Sequence, residues 1–250
     1  MFLAIDIGNT NISLGIFKQG RLLKSKDFPT RQTHKQKSAF RKFINKIKID
    51  DCFICSVVPL AEKRISSLVK SAIGKRPLII EKDIKIPIKN KYKSPKEVGT
   101  DRLLNAFGGS LLYRHSLILV DFGTAVTFDV VTEKREYLGG LIFPGLSLSL
   151  DALYNRTALL PKVRLTRPKG LIGKTTKESI LNGIVYGFSA LTDDIVLRLA
   201  KGIKKPYSVV ATGGSTDLLR KYIKRIDYIQ NNLTLKAISL LYRYYHEKKD

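Results

Sequence analysis

The 250-residue chain holds no tryptophan, one methionine, three histidines and two cysteines. A disulfide scaffold needs several cysteine pairs, so that class is excluded. Cys52 and Cys55 form a C-x-x-C inside the apolar run Cys52-Phe53-Ile54-Cys55-Ser56-Val57-Val58. That run reads as a buried strand, and residues three apart on a strand face opposite sides. The two sulfurs then share neither a metal nor an easy disulfide, so packing is their expected role. His34, His115 and His246 show no ligand spacing. Acidic residues are also scarce, 21 against 45 basic, which leaves a net charge of +24.

Such an excess suits nucleic acid or an anionic membrane surface. The basic residues are scattered, however, and in 35–48 and 220–225 they alternate with apolar ones at helical spacing, as on solvated helix faces. Neither an RNP-like aromatic motif nor a zinc finger accompanies them. The reading therefore assigns no nucleic-acid partner. Long apolar runs are missing too: no stretch reaches the roughly 18 apolar residues of a membrane span. Asp6 interrupts the N-terminal apolar run too early for a signal peptide. A cytoplasmic protein without membrane contact is expected. With 44% hydrophobic and 26% charged residues, the chain has the composition of a folded globular protein rather than a disordered one.

What is present is a repeated pattern. Phe2-Leu3-Ala4-Ile5 runs into Asp6-Ile7-Gly8-Asn9-Thr10, and the apolar run 117–120 runs into Asp121-Phe122-Gly123-Thr124. Strands are expected at 12–17, 53–58, 78–80, 127–131, 137–143 and 208–211. Helices are expected at 35–47, 60–72, 101–113, 148–156, 176–200 and 216–224, with a terminal helix from 231 onward. Strands alternating with helices in both halves predict an α/β fold. The expected domains are 1–114 and 115–250, with the terminal helix free to pack back on the first.

A carboxylate at a strand end can hold hydrated Mg²⁺, and Gly8 lets backbone approach a phosphate closely. An ordinary hairpin turn would explain one such motif; two after buried strands are harder to assign to turn chemistry. Ala211-Thr212-Gly213-Gly214, between a strand and a helix, offers bare backbone and a helix N-terminus for a nucleotide, or is simple turn chemistry. Gly173-Lys174-Thr175 is not the tail of a P-loop, because Pro168 stands where its first glycine would be. Gly99-Thr100-Asp101-Arg102 reads either as charge placement at a helix start or as a hydroxyl-positioning base beside an anion-binding guanidinium.

The first three motifs together resemble the phosphate and adenosine motifs of the actin-like sugar-kinase superfamily, in which two ribonuclease-H-like halves clamp ATP. A more specific series runs through almost the whole chain. It comprises Asp6 to Thr10, Tyr92 with Pro95 and Glu97 to Arg102, Val120 to Ala125, Gly139-Gly140 with Pro144-Gly145, Arg156-Thr157-Ala158 with Leu160-Pro161, Gly173 to Thr176 with Glu178-Ser179, and Ala211 to Gly214. In this order it resembles the type III pantothenate kinase family. Three positions depart from the commoner family pattern: Thr100 for alanine, Val126 for threonine, and Thr175 for asparagine.

The resemblance implies two ribonuclease-H-like domains with a nucleotide cleft, and ATP-dependent phosphorylation of pantothenate, the first step of coenzyme A synthesis. It also implies Mg²⁺, a monovalent cation (K⁺ or NH₄⁺) and a homodimer. Carried over by position, Asp6, Ile7, Gly8, Asn9, Thr10, Asn11, Ile12 and Ser13 form the ATP phosphate turn, joined by Thr124. Tyr92, Gly99, Thr100, Asp101, Arg102 and Thr176 contact pantothenate. Asp101 accepts the proton, Asp121 sits at the monovalent cation, and Asp6 holds Mg²⁺ through water. Two rivals stay open: another kinase of the superfamily, acting on a sugar or small acid, and a non-enzymatic regulator of gene expression.

Overall fold

The computed structural model describes residues 1–31, 36–203 and 206–247. His34 and the expected helix start at Lys35 lie outside these residues. The chain divides into two units: the described residues of Met1–Gly108 with Asn232–Asp250, and Gly109–Asn231.

In the first unit, β1 (Phe2–Ile7), β2 (Asn11–Lys18), β3 (Arg21–Pro29), β4 (Asp51–Ser56) and β5 (Leu78–Ile79) form a sheet in the order β3-β2-β1-β4-β5. β1 is antiparallel to β2 and parallel to β4. α1 (Gln36–Ile44) and α2 (Pro59–Ile73) supply Phe40, Phe43, Ile65 and Val69 to a core with Leu3, Ile5, Ile7 and Ile54. Phe2 and Phe53 pack against the terminal helix α7 (Leu233–Glu247), where Tyr242 stacks on Phe2 at 4.1 Å between ring centroids. With helices on both faces, β1 can be apolar at almost every position, which is why its sequence is continuous rather than alternating. α2 starts with Pro59 and ends at Gly74 in a left-handed conformation (φ 74°), the usual helix punctuation. A short strand β6 (Lys89–Asn90), a 3-10 turn (Pro95–Glu97) and α3 (Thr100–Leu112) complete the unit's elements.

The second unit repeats the plan. Its strands β7 (Ser116–Phe122), β8 (Ala125–Val131), β9 (Glu136–Pro144), β10 (Tyr207–Thr212) and β11 (Tyr228–Ile229) run in the order β11-β10-β7-β8-β9. β7 is antiparallel to β8 and parallel to β10, as β1 is to β2 and β4. α4 (Leu146–Arg156), α5 (Thr176–Ala200) and α6 (Thr216–Leu219) flank it. Ile118, Val120, Phe122, Val126, Leu146, Val185 and Val209 form the core.

Four details differ from the sequence reading. β3 is a nine-residue strand that the polar run Lys24-Ser25-Lys26-Asp27 conceals. The helix expected over 216–224 stops after four residues. The stretch 81–98, polar, dotted with proline and read from the sequence as a loop, contains β6 and the 3-10 turn. Among the described residues, α5 is long and apolar enough to cross a membrane by length and composition. It is nevertheless tied into its unit, because the Asp193 carboxylate accepts from the Lys224 and Arg225 backbone N–H groups at 3.0 and 2.9 Å.

Candidate active site

In the first unit, β1 delivers Asp6 to the end of the sheet, and the chain turns through Gly8-Asn9-Thr10 into β2. The Gly8 N–H donates to the Asn11 carbonyl at 2.9 Å. A Cβ on Gly8 would stand 3.3 Å from that carbonyl oxygen, so glycine lets the turn close. Asn9, Thr10 and Asn11 are exposed, and Asp6 and Ser13 are half-buried register partners. Ile7 and Ile12 bury their side chains, which leaves only their backbone for a ligand.

Two residues that sequence reasoning did not select brace this turn. The Thr30 hydroxyl donates to the Gly8 carbonyl at 2.6 Å, and the Thr30 N–H donates to the Thr10 carbonyl at 2.8 Å. The Arg64 guanidinium, from α2, donates to the Thr30 carbonyl at 2.7 Å. No local motif marks either residue, since the Thr30 partners lie about twenty positions away in the chain.

The second carboxylate of the unit stands at the start of α3. The Leu103 N–H donates to the Gly99 carbonyl at 3.2 Å, which opens the helix. Asp101 lies in its first turn, where the helix dipole favours a negative charge, and its Oδ1 accepts from the Arg102 N–H at 2.8 Å. A Cβ on Gly99 would stand 2.5 Å from that Oδ1, so only glycine leaves the carboxylate this position. Burial raises the Asp101 carboxyl above its ordinary value, against the lowering effect of its backbone hydrogen bonds and of the Arg102 guanidinium. Arg102 is itself 8% exposed.

The charges of Asp6 and Asp101 both bear on Cys55. Cys55 is the register partner of Asp6 on β4, fully buried, and its thiol is hydrogen-bonded to the Asp6 carboxylate. Burial first, then the charges of Asp6 and Asp101, push this thiol well above its ordinary value. Tyr92 lies in the loop before α3, where its N–H donates to the Asn90 side chain at 3.0 Å. Thr100 is half-buried as the first residue of α3.

In the second unit, Asp121 occupies on β7 the place that Asp6 has on β1, with Thr212 as its parallel register partner. Gly213 has φ 95°, a left-handed conformation, and a Cβ there would stand 2.6 Å from the Phe122 backbone. The Ser215 N–H donates to the Phe122 carbonyl at 3.1 Å and locks the two turns together. Thr124 is exposed, and its carbonyl accepts from the Gly145 N–H at 2.9 Å. Thr176 is the exposed first residue of α5. Thr175 caps that helix by accepting from the Glu178 N–H at 3.2 Å, and Glu178 reaches back to the Lys174 N–H at 2.8 Å.

Among the described residues, no three His, Cys, Asp or Glu gather into a metal cluster. Asp6, Asp101 and Asp121 do present hard carboxylate oxygens, the donor type of Mg²⁺, which keeps most of its water. The arrangement thus fits an ion held chiefly by phosphate and water, with one carboxylate behind it. A cavity of about 640 Å³ lies elsewhere in the first unit, lined by Arg41, Lys46, Lys48 and Ile73 among others. It touches none of these residues.

The family model for type III pantothenate kinases matches residues 2–198. A type III pantothenate kinase of Persephonella marina is 43% identical over 256 residues, covering 98% of this chain and 99% of the relative. One from Finegoldia magna is 39% identical over 253 residues, covering 96% of each. Among solved structures, a Campylobacter jejuni protein described as a Baf family transcriptional activator superposes with a TM-score of 0.60 at 17% identity, over 98% of this chain and 99% of that one. MreB 5 of Spiroplasma citri, bound to AMPPNP, superposes with 0.54 at 10% identity, over 99% and 97%. These two likenesses establish the fold, the expected actin-like α/β fold of two mixed sheets flanked by helices.

Proposed function

This chain belongs to the type III pantothenate kinase family and is an ATP-dependent phosphotransferase, and we propose that its acceptor is the primary hydroxyl of pantothenate. The observation that carries the residue roles is the pair of carboxylates in the first unit, Asp6 beside a glycine turn with buried Cys55 as its register partner, and Asp101 buried at a helix start, the charges of both bearing on the Cys55 thiol.

Phosphoryl transfer needs positioning and charge neutralisation more than covalent chemistry. Asp101 accepts a hydrogen bond from the pantothenate hydroxyl, orients its oxygen toward the γ-phosphate, and takes the proton late. Its raised carboxyl is a better acceptor than a free aspartate, whose pKa is about 3.9. Tyr92, Gly99, Thr100, Arg102 and Thr176 hold the pantothenate. Asp6 to Ser13 and Thr124 hold the phosphates, with backbone N–H groups of the glycine turn as donors. Asp6 would hold Mg²⁺ through water and Asp121 would hold K⁺ or NH₄⁺, and these ions would supply the remaining positive charge.

The protein acts as a homodimer in the cytoplasm. Leu138, Ile142, Leu148, Leu159, Leu171 and Ile172 of the second unit are exposed, and Leu159 is 93% so. Large exposed apolar side chains gathered in one stretch of chain are the mark of a surface a partner covers.

Purified protein, radiolabelled pantothenate and ATP, with and without K⁺, test this reading. Labelled phosphopantothenate formed faster with K⁺ is the expected result. A sugar preferred over pantothenate in a panel of hydroxyl acceptors would overturn the substrate. Tight DNA binding that falls steeply with salt, in a protein with no kinase activity, would favour the regulator reading.

A further inference from the structure

We infer that Thr30 is a positioning residue for the nucleotide, acting through the Gly8 carbonyl; the inference rests on the phosphoryl-transfer reading above. Thr30 is 7% exposed, directly after β3. Its hydroxyl holds the Gly8 carbonyl at 2.6 Å and its N–H holds the Thr10 carbonyl at 2.8 Å. The Arg64 guanidinium fixes Thr30 in turn, at 2.7 Å. The Gly8 and Thr10 carbonyls therefore point toward Thr30.

A trans peptide is planar, and its C=O and N–H point in opposite directions. The Asn9 and Asn11 N–H groups consequently point away from Thr30. Asn9, Thr10 and Asn11 are exposed. The turn thus offers the Asn9 and Asn11 N–H groups to an anion and keeps the Gly8 and Thr10 carbonyl oxygens turned away, as phosphate cradles do.

The weak point is the Gly8–Asn9 peptide. Gly8 has no Cβ, so little steric cost opposes a flip of the peptide plane. A flip would replace the Asn9 N–H with the Gly8 oxygen and set an acceptor against a phosphate. The Thr30 hydroxyl opposes that flip, because flipping would break its hydrogen bond. Arg64 serves as an anchor for the device and touches neither turn carbonyl.

The test compares wild type, Thr30→Val and Thr30→Ser. ADP affinity is measured by calorimetry, KM for ATP and for pantothenate by steady-state kinetics, and folding by thermal melts. Valine keeps the shape and removes the hydroxyl. Losing one hydrogen bond predicts ADP affinity and KM for ATP weakened about 3- to 10-fold, KM for pantothenate unchanged, and recovery in the serine variant. Wild-type ADP affinity in Thr30→Val would overturn the inference, as would a serine variant as weak as valine. If Thr30→Val fails to fold, Arg64→Met takes its place. It should weaken ADP by a smaller factor at unchanged KM for pantothenate, and unaltered ADP affinity there would count against the device. ADP binding reads Thr30 alone. A wild type that binds ADP yet phosphorylates no pantothenate would therefore sink the proposed function and leave the Thr30 result standing.

Discussion

Asp6 and Cys55 are register partners on adjacent parallel strands, and the thiol of one is bound to the carboxylate of the other. This fixes Asp6 from the buried side of the sheet while its turn faces out. It also makes Cys55 inert. The thiolate is the reactive form of cysteine, and burial together with Asp6 and Asp101 disfavours it here. Cys52 is likewise buried, and its thiol is pushed up by burial and by Asp51. Native protein should therefore release no chromophore with Ellman's reagent at pH 8 over minutes, and two equivalents after unfolding in guanidinium. A native titre of one or two would contradict the buried pairing.

Asp101 carries a conflict between stability and activity. Its folded carboxyl lies above the ordinary value because burial disfavours the charged form. A raised carboxyl contributes stability that is complete below the unfolded pKa, about 3.9, and is lost as pH rises through the folded one. Above its folded pKa the group carries its charge in a site that disfavours it. Asp101→Asn should thus melt at a higher temperature than wild type near neutrality, with the gap closing toward pH 3. The same variant should lose roughly two to four orders of magnitude in kcat and keep its ATP affinity. Near-normal turnover in the asparagine variant would remove the proton-acceptor role.

Much of this site could be read from the chain because its strongest features are local. Buried central strands write themselves as continuous apolar runs, so β1 and β7 and the turns after them stood out together. α3 and α5 are expected to begin at Asp101 and Thr176, and they begin at Thr100 and Thr176. β3 did not stand out, because seven of its nine residues are exposed and its partner β2 rather than its own pattern makes it a strand. The extent of α6 was misread, because Lys221 and Arg225 continue the basic and apolar spacing after the helix has ended at Leu219. Thr30 was invisible for a different reason. Its meaning lies in two carbonyls of a distant turn, and a hydroxyl after a proline carries no pattern of its own. The repeat of strand order in both units is the structural counterpart of the repeated D-x-G, and it explains why two weak motifs were worth more than their sum.

Asp6 and Asp101 should separate experimentally. Asp6 lies on the glycine turn and Asp101 at the start of α3. A carboxylate that holds a hydrated ion is missed most when the ion is scarce. Asp6→Asn should therefore raise the Mg²⁺ concentration needed for half-maximal rate and weaken ATP, while KM for pantothenate stays near wild type. Titrating Mg²⁺ at saturating pantothenate reads this directly. An unchanged Mg²⁺ requirement would take Asp6 out of the metal's surroundings.

Gly213 tests the second unit in the same way. Its φ of 95° is a left-handed conformation, which costs an L side chain about 1–3 kcal/mol. A Cβ would also stand 2.6 Å from the Phe122 backbone, too close for any rotamer to relieve. The backbone that would have to yield is the turn carrying Asp121, whose Phe122 carbonyl is held by the Ser215 N–H. Gly213→Ala should accordingly lower the urea midpoint by more than the conformational cost alone and weaken the response of the rate to K⁺, because the turn that moves carries Asp121. Gly214→Ala is the control, since a Cβ there meets nothing within 4 Å and its φ is not left-handed. It should leave both readouts near wild type. Equal effects from the two variants would mean that the close approach of Gly213 to the Asp121 turn is not what glycine is needed for.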